Sequence, residues 1–223
     1  MIKLAVLISG EGSNLQAILD AIEEGWLEAG VAVVLSNQPN AGGLQKAINA
    51  KIPAHVINSQ RYNDRVVFER DLVKAILPFT PDYIVLAGFM RCLTPYFIDK
   101  FRNQILNIHP SLLPKYKGLK THQRVLDNQE TEHGATVHLV NETLDGGSII
   151  AQIKTPINQS DTVIALTNRI QSLEHKLYPL VLSWLASHKL VIKQSQLLFN
   201  LHPLPKQGIQ LQELRHPTQP IVS

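Results

Sequence analysis

The stretch Lys3-Leu4-Ala5-Val6-Leu7-Ile8 runs into Ser9-Gly10-Glu11-Gly12-Ser13, and then into Asn14-Leu15-Gln16-Ala17-Ile18-Leu19-Asp20-Ala21-Ile22-Glu23-Glu24. The first six residues are apolar without alternation, apart from Lys3, which is the pattern of a strand covered on both faces. The five that follow are turn residues with two glycines. In the third segment Leu15, Ile18, Leu19 and Ile22 fall on one side of a 3.6-residue repeat, so it reads as a helix. A buried strand, a Gly-rich turn and an amphipathic helix make the opening unit of an α/β sheet.

The unit repeats outward along the chain. Strands are predicted at Val31–Leu35, Ala54–Ile57, Tyr83–Ala87 and Gln104–Ile108, and helices at Leu44–Ala50 and Arg65–Leu77. Pro78 and Pro81 close the second of these helices. Thr94-Pro95 reads as an N-cap with Pro at the first helical position, so a short helix begins there. After His109 the texture changes. Residues 109–120 form a loop with Pro110, Pro114 and Gly118. Ala135–Val140 and Ser148–Lys154 read as strands around Leu144-Asp145-Gly146-Gly147. Asp161 to Ala186 is a long helix with Asp161 as candidate N-cap, and Leu190–Lys193 is a last strand. From Gln194 onward the periodicity is weak, and a loosely packed or extended tail is expected. Alternating strands and helices predict a mostly parallel sheet with helices on both faces, whose ligands sit just beyond the carboxyl ends of the strands.

Bulk properties narrow the function. Apolar residues at 44% and charged residues at 17% suit a globular domain, and 223 residues do not require a second one. The net charge is +3 with no long basic block, which does not argue for a nucleic-acid or membrane binder. Cys92 is the one cysteine, so no intrachain disulfide forms and a reducing compartment fits. Without a secretory n-region or cleavage site after Met1, cytoplasm is the expected location. The nine histidines are scattered, with no H-E-x-x-H and no Cys pair, so no dedicated metal site is expected.

Five motifs follow strands or lie on the long helix. Gly10-Glu11-Gly12-Ser13-Asn14 opens a helix with free N–H groups, which suits a phosphate. Leu15 stands where the dinucleotide fingerprint has its third Gly, which disfavours a nicotinamide cofactor. A plain turn capped by Ser13 or Asn14 would look the same. Asn107 and His109 are two apart on a strand and share a face, so an amide donor and an imidazole could hold an oxyanion and supply a proton. A structural His bonded to a loop carbonyl is the bland alternative. Asp145 is the acid of the Gly146-Gly147 turn; beside His109 it would orient the ring and favour its charged form, and otherwise it only closes its own turn. Leu86 to Arg91 could line a slot for a flat ring or simply end a buried strand. Glu174, in Gln171-Ser172-Leu173-Glu174-His175, could hold a substrate ammonium or hydroxyl, or belong to a solvated helix face.

Taken together, Ile8 to Gln16, Val85 to Arg91, Leu106 to Pro114 and Leu144 to Gly147 resemble the folate-dependent glycinamide ribonucleotide transformylase family. The likeness runs from about Ile2 to Leu204. It implies a single Rossmann-like three-layer α/β domain over 1–204, with a tail over 205–223. It also implies formyl transfer from 10-formyltetrahydrofolate to the amine of a phosphoribosylglycinamide in purine synthesis, by a monomer or homodimer. By that likeness Asn107, His109 and Asp145 are catalytic. Gly12, Ser13, Asn14, Gln171, Ser172, Leu173 and Glu174 would contact the glycinamide substrate. Arg65, Met90, Arg91, Cys92, Leu93, Asn107, Asn141, Glu142, Thr143, Leu144 and Asp145 would contact the folate. Two residues depart from the pattern: Glu11 in the phosphate loop, and Lys120 where His is frequent. A formyl-folate hydrolase would share the trio but is expected to carry a further N-terminal domain, and a methionyl-tRNA formyltransferase a further C-terminal one. A non-catalytic folate- or sugar-binding module would have no reason to bring the trio together.

Overall fold

The computed structural model describes residues 1–193 and 196–212. Its elements in chain order are β1 (Ile2–Ile8), α1 (Ser13–Glu23), β2 (Ala29–Ser36), α2 (Gly42–Asn49), β3 (Ala54–Val56), α3 (Arg65–Ile76), β4 (Tyr83–Leu86), α4 (Pro95–Lys100), β5 (Ile105–His109), α5 (Thr121–Asp127), β6 (Glu132–Leu139), β7 (Ile149–Pro156), α6 (Val163–Ala186), β8 (Leu190–Lys193), β9 (Gln196–Phe199), β10 (His202–Pro203) and β11 (Ile209–Leu211). Eight strands form one sheet in the order β11-β7-β6-β5-β4-β1-β2-β3, while β8, β9 and β10 make a small antiparallel sheet. In the large sheet β6 runs antiparallel to β5 and β7, and every other pairing is parallel.

The non-alternating run of β1 is explained by what covers it. Leu4, Val6 and Ile8 pack with Leu15 and Ile18 of α1 and with Ile170 and Leu177 of α6. Ala5 and Leu7 point the other way, into a core with Phe68 and Leu72 of α3 and Phe97 of α4. Both faces of the sheet are therefore buried under helices, which gives the expected three-layer α/β sandwich.

One buried contact ties a helix to the strand ends. Tyr178, fully buried on α6, places its hydroxyl 3.2 Å from the carbonyl oxygen of Leu86 and 2.9 Å from that of Leu106. The O–H donates into the seam between β4 and β5.

Several elements differ from the sequence expectation. The loop ends at α5, whose seven residues bury only Thr121 and Val125, too short a run for helical periodicity to register. Asp161 does not cap α6. Thr162 does, accepting from Ala165 N at 3.2 Å, while Asp161 accepts from Asn158 N and pairs with Arg169. Thr94 sits at the N-cap position of α4, but its hydroxyl donates to Glu69 instead. The stretch after Gln194 carries β9, β10 and β11, and Ile209 and Leu211 are buried where β11 joins β7. These strands have four residues or fewer, so alternation has too little length to show. Residues 213–223 of the expected tail lie outside the described residues.

Candidate active site

The first part of the site is the start of α1. Gly12 occupies its N-cap position with φ 69°, and no side chain caps the helix. A Cβ at Gly12 would stand 2.7 Å from the Cα of Gly43. Glycine is thus required twice over, by the left-handed backbone and by the packing of two loops against each other. The first N–H groups of a helix have no intrahelical acceptor, and here no side chain takes them. They remain for an anion, in the positive end of the helix dipole. Ser13 and Asn14 are not caps. Gln171 Nε2 donates to Ser13 Oγ at 2.9 Å, and Asn14 Nδ2 donates to Glu174 Oε2 at 3.0 Å. Ser13 is an acceptor in its contact, which leaves its own O–H proton to give. Glu11 reaches toward α2: a Cβ built on Gly42 would lie 2.8 Å from Glu11 Oε2.

The opposite wall is α6. Glu174 is buried, and burial pushes its carboxyl up from 4.5 to about 7, with the Asn14 amide pulling the other way. Between those pH values the folded chain keeps a proton that the unfolded chain has lost. Stability contributed by this group is therefore present at acidic pH and falls as pH rises from about 4.5 to 7. Glu174→Gln should remove that fall, gaining on the order of 3 kcal/mol at pH 8 and little at pH 4. Urea denaturation of both proteins at the two pH values checks this; equal stability differences at both would refute the buried, proton-holding carboxyl. Of its neighbours, Gln171 also faces the cavity. Ser172 bonds back to Asn168 O at 3.0 Å, and Leu173 packs on the core, so neither lines it.

Between these walls lies a cavity of about 330 Å³. It is bounded by the loop 9–14, by Ala87, Gly88 and Met90 after β4, by Ile108 and Pro110 around β5, and by His122 of α5 with Gln171 and Glu174 of α6. This is the carboxyl edge of the parallel strands, where the α/β rule places ligands.

The trio stands just behind the Ile108–Pro110 wall and is not part of the cavity lining. β5 brings Asn107 and His109 to one face, opposite His138 and Thr136 of β6. His109 Nδ1 is 3.5 Å from Asp145 Oδ2, and its Nε2 is 2.9 Å from the carbonyl oxygen of Tyr116. Both neighbours accept, so a ring protonated on both nitrogens satisfies both contacts. Asp145 Oδ2 also accepts from Gly118 N at 2.8 Å, which fastens the loop after β5 to the turn after β6. That turn is closed by Asn141, which accepts from Thr143 N and donates to Gly146 O.

His138 belongs to this cluster and was not anticipated. Its Nδ1 lies 2.7 Å from Leu139 O, so Nδ1 carries the hydrogen. Burial lowers its pKa, keeping the ring neutral, and Nε2 is then a lone pair that accepts from Asn107 Nδ2 at 3.1 Å. With a neutral ring, the 3.9 Å approach of Nε2 to Asp145 Oδ1 is no ion pair. The signal was present in the sequence: Thr136 and His138 are polar at a spacing of two within an apolar run. Only the β5–β6 register shows that they face Asn107 and His109.

The remaining candidates lie around the rim. Arg65 donates to Cys92 O at 2.9 Å, and Arg91 lies over the Phe68 ring at 5.1 Å. Met90 is exposed, and its N–H donates to Ser9 Oγ; Leu93 packs inward. Asn141, Glu142, Thr143 and Leu144 are exposed on the turn, with Leu144 beside Gly118. Lys120 is exposed at the N-cap of α5, with φ 55°, and does not line the cavity.

Known proteins resemble this chain over most of its length. The family described as formyl transferase matches residues 2–182. Phosphoribosylglycinamide formyltransferase of Escherichia coli (strain K12) is 44% identical over 205 residues, which cover 92% of this chain and 97% of that protein. The trifunctional purine biosynthetic protein adenosine-3 of Homo sapiens is 44% identical over 83% of this chain, a match that spans 18% of that longer protein. The structure of phosphoribosylglycinamide formyltransferase from Coxiella burnetii superposes with a TM-score of 0.90 at 45% identity, covering 94% of this chain and 98% of that one. With the profile spanning most of its length and relatives this similar from end to end, the chain belongs to the formyl transferase family.

Proposed function

We propose that this chain transfers the formyl group of 10-formyltetrahydrofolate to the amine of N1-(5-phosphoribosyl)glycinamide, giving formylglycinamide ribonucleotide and tetrahydrofolate in de novo purine synthesis. The observation that carries the reading is a cavity in which an uncapped helix start faces Gln171 and Glu174, with Asn107, His109 and Asp145 directly behind its wall. The phosphate end of the acceptor suits the N–H groups of Gly12, Ser13 and Asn14. Glu174 suits the ribosyl glycinamide. The folate is a substrate, not a resident group. Arg65, the segment Met90 to Leu93 and the turn Asn141 to Asp145 would receive it, a reading supported by Met90 in the cavity wall and by the exposure of Asn141 to Leu144.

In this reading the amine attacks the formyl carbon and negative charge gathers on the formyl oxygen. Asn107 and His109 donate to that oxygen, each donor being worth about 3–4 kcal/mol. His138 holds the Asn107 amide by one hydrogen, which leaves the second for the substrate. Asp145 keeps the His109 ring oriented and balances its charge, and His109 gives a proton to the departing nitrogen. To do so its Nε2 must leave the Tyr116 carbonyl. No covalent enzyme intermediate is needed.

We take the catalytic unit to run past 204 through β11, whose buried Ile209 and Leu211 complete the main sheet, and to work in the cytoplasm as a monomer or homodimer, every group invoked coming from one chain. The partners are small molecules; no helix among the described residues is long and apolar enough to cross a membrane. Ser13→Ala should raise KM for the phosphorylated substrate about tenfold with little change in kcat, the loss of one charged hydrogen bond. An unchanged KM would count against the phosphate loop. The deciding assay follows loss of the formyl group by absorbance, with and without phosphoribosylglycinamide. Loss only in its presence supports transfer; equal loss without it makes the protein a hydrolase.

A further inference from the structure

A second imidazole pair lies closer to the cavity than the trio does. His122 of α5 is part of the cavity wall, whereas His109 is not. Its Nδ1 is 3.0 Å from Nε2 of His133, a buried residue of β6, and the two rings meet edge to face. With Nδ1 engaged by His133, Nε2 is the ring nitrogen left to meet a substrate in the cavity that His122 lines. We propose that His122, backed by His133, accepts the proton that leaves the substrate amine, so that the reaction uses one imidazole to take a proton and another, His109, to give one.

The proposal rests on the functional reading above, which puts the acceptor amine in this cavity. Attack joins the amine nitrogen to the formyl carbon and leaves a positive nitrogen whose extra proton must go. His122 Nε2 takes it. The ring then hands its Nδ1 hydrogen to His133 Nε2, as two imidazoles in series can. The bond from the formyl carbon to the donor nitrogen breaks, and that nitrogen takes a proton from His109. Overall one hydrogen has moved from the amine to the departing nitrogen. The histidine pair returns its proton to water and His109 regains one before the next turnover.

The surroundings suit a base. Burial, and then the neighbouring His109, lower the pKa of His122. Burial takes His133 to about 4, with His122, His109 and Arg169 adding to that and Glu130 opposing it. Across the cavity His122 also shares walls with Glu11 and Glu174. Both rings are therefore neutral at physiological pH: His122 has a lone pair to offer the amine's proton, and His133, the weaker base, holds a proton only in passing. A structural histidine pair would need no open edge on a substrate cavity.

The test uses the full chain and phosphoribosylglycinamide, whose Kd is measured by calorimetry beside the rates. His122→Gln should lower kcat by roughly 10²–10⁴ with Kd little changed, and should abolish the decline of kcat/KM on the acid side of the pH profile. In His122→Ala, added imidazole should restore part of the rate, which also shows that the variant is folded. His133→Gln keeps an acceptor for His122 but cannot carry the proton onward; its kcat should fall with KM unchanged and should rise with buffer concentration. A His122→Gln enzyme with wild-type kcat and pH profile overturns the proposal. So does one that loses only substrate affinity. If the wild-type protein binds the glycinamide but shows no transfer, the functional reading fails first, and the proposal falls with it.

Discussion

Asp145→Asn is expected to lower kcat by roughly 10²–10⁴, with a small change in KM and in melting temperature. Asp145 Oδ2 faces two donors, His109 Nδ1 at 3.5 Å and Gly118 N at 2.8 Å. A carboxylate serves both and balances the ring's charge. An asparagine of the same shape has one oxygen and no charge, and its NH₂ must face something. If the oxygen stays with Gly118, His109 Nδ1 loses its acceptor. If it turns to His109, the loop after β5 loses its tie to the turn after β6. Either way the proton donor is no longer held ready. Steady-state rates with both substrates saturating decide the matter; a variant within about threefold of wild type would remove Asp145 from the chemistry.

The second large effect is expected from Gly147→Ala. A Cβ at Gly147 would lie 1.8 Å from the carbonyl oxygen of Leu139, a backbone atom that cannot swing away. The β6–β7 turn must shift, and with it the Leu139 N–H to Ser148 O bond at 2.9 Å and the placement of Asp145 two residues earlier. A destabilisation of about 3 kcal/mol or more follows, which for a chain of this size is a fall in Tm of roughly 6–12 °C. Activity should fall at least as far as in Asp145→Asn. Gly25→Ala is a useful contrast, because Gly25 has φ 81° but open space around it. It should cost only about 1–2 kcal/mol and leave kcat alone. Thermal unfolding of the three proteins in parallel checks the order; a Gly147→Ala protein as stable as wild type would refute the close approach.

The part of the fold legible in the sequence is the part where burial writes a long pattern. β1, β2 and β4 are apolar on both faces, β5 is apolar apart from Asn107 and His109, and α1 and α6 carry stripes that any helix period detects. The strand-end rule then pointed to Gly12–Asn14, Asn107 and His109 without knowledge of the strand order. Asp145 could be named as a candidate, but its meeting with His109 depends on β6 lying beside β5, which the resemblance supplied. His138 was missed because its role is a register property: nothing local separates a neutral His bonded to Asn107 from a core histidine. The proposed His122–His133 pair has the same difficulty, since its members sit on a seven-residue helix and an inner strand. The short strands of the tail failed for want of length alone.

The phenol of Tyr178 has a bearing on how acceptor preference could be altered. Leu106, one of the two carbonyls it holds, directly precedes Asn107, and Glu174 lies one helical turn before Tyr178. The distance from Asn107 to Glu174 across the acceptor's berth is thus gauged by backbone at one end and one turn of helix at the other. It does not depend on which side chains upholster the space between. Changing the lining alters what fills the berth but leaves that span as it was, so acceptors with a longer reach between the amine and the part held by Glu174 would remain shut out until the seam itself is re-cut.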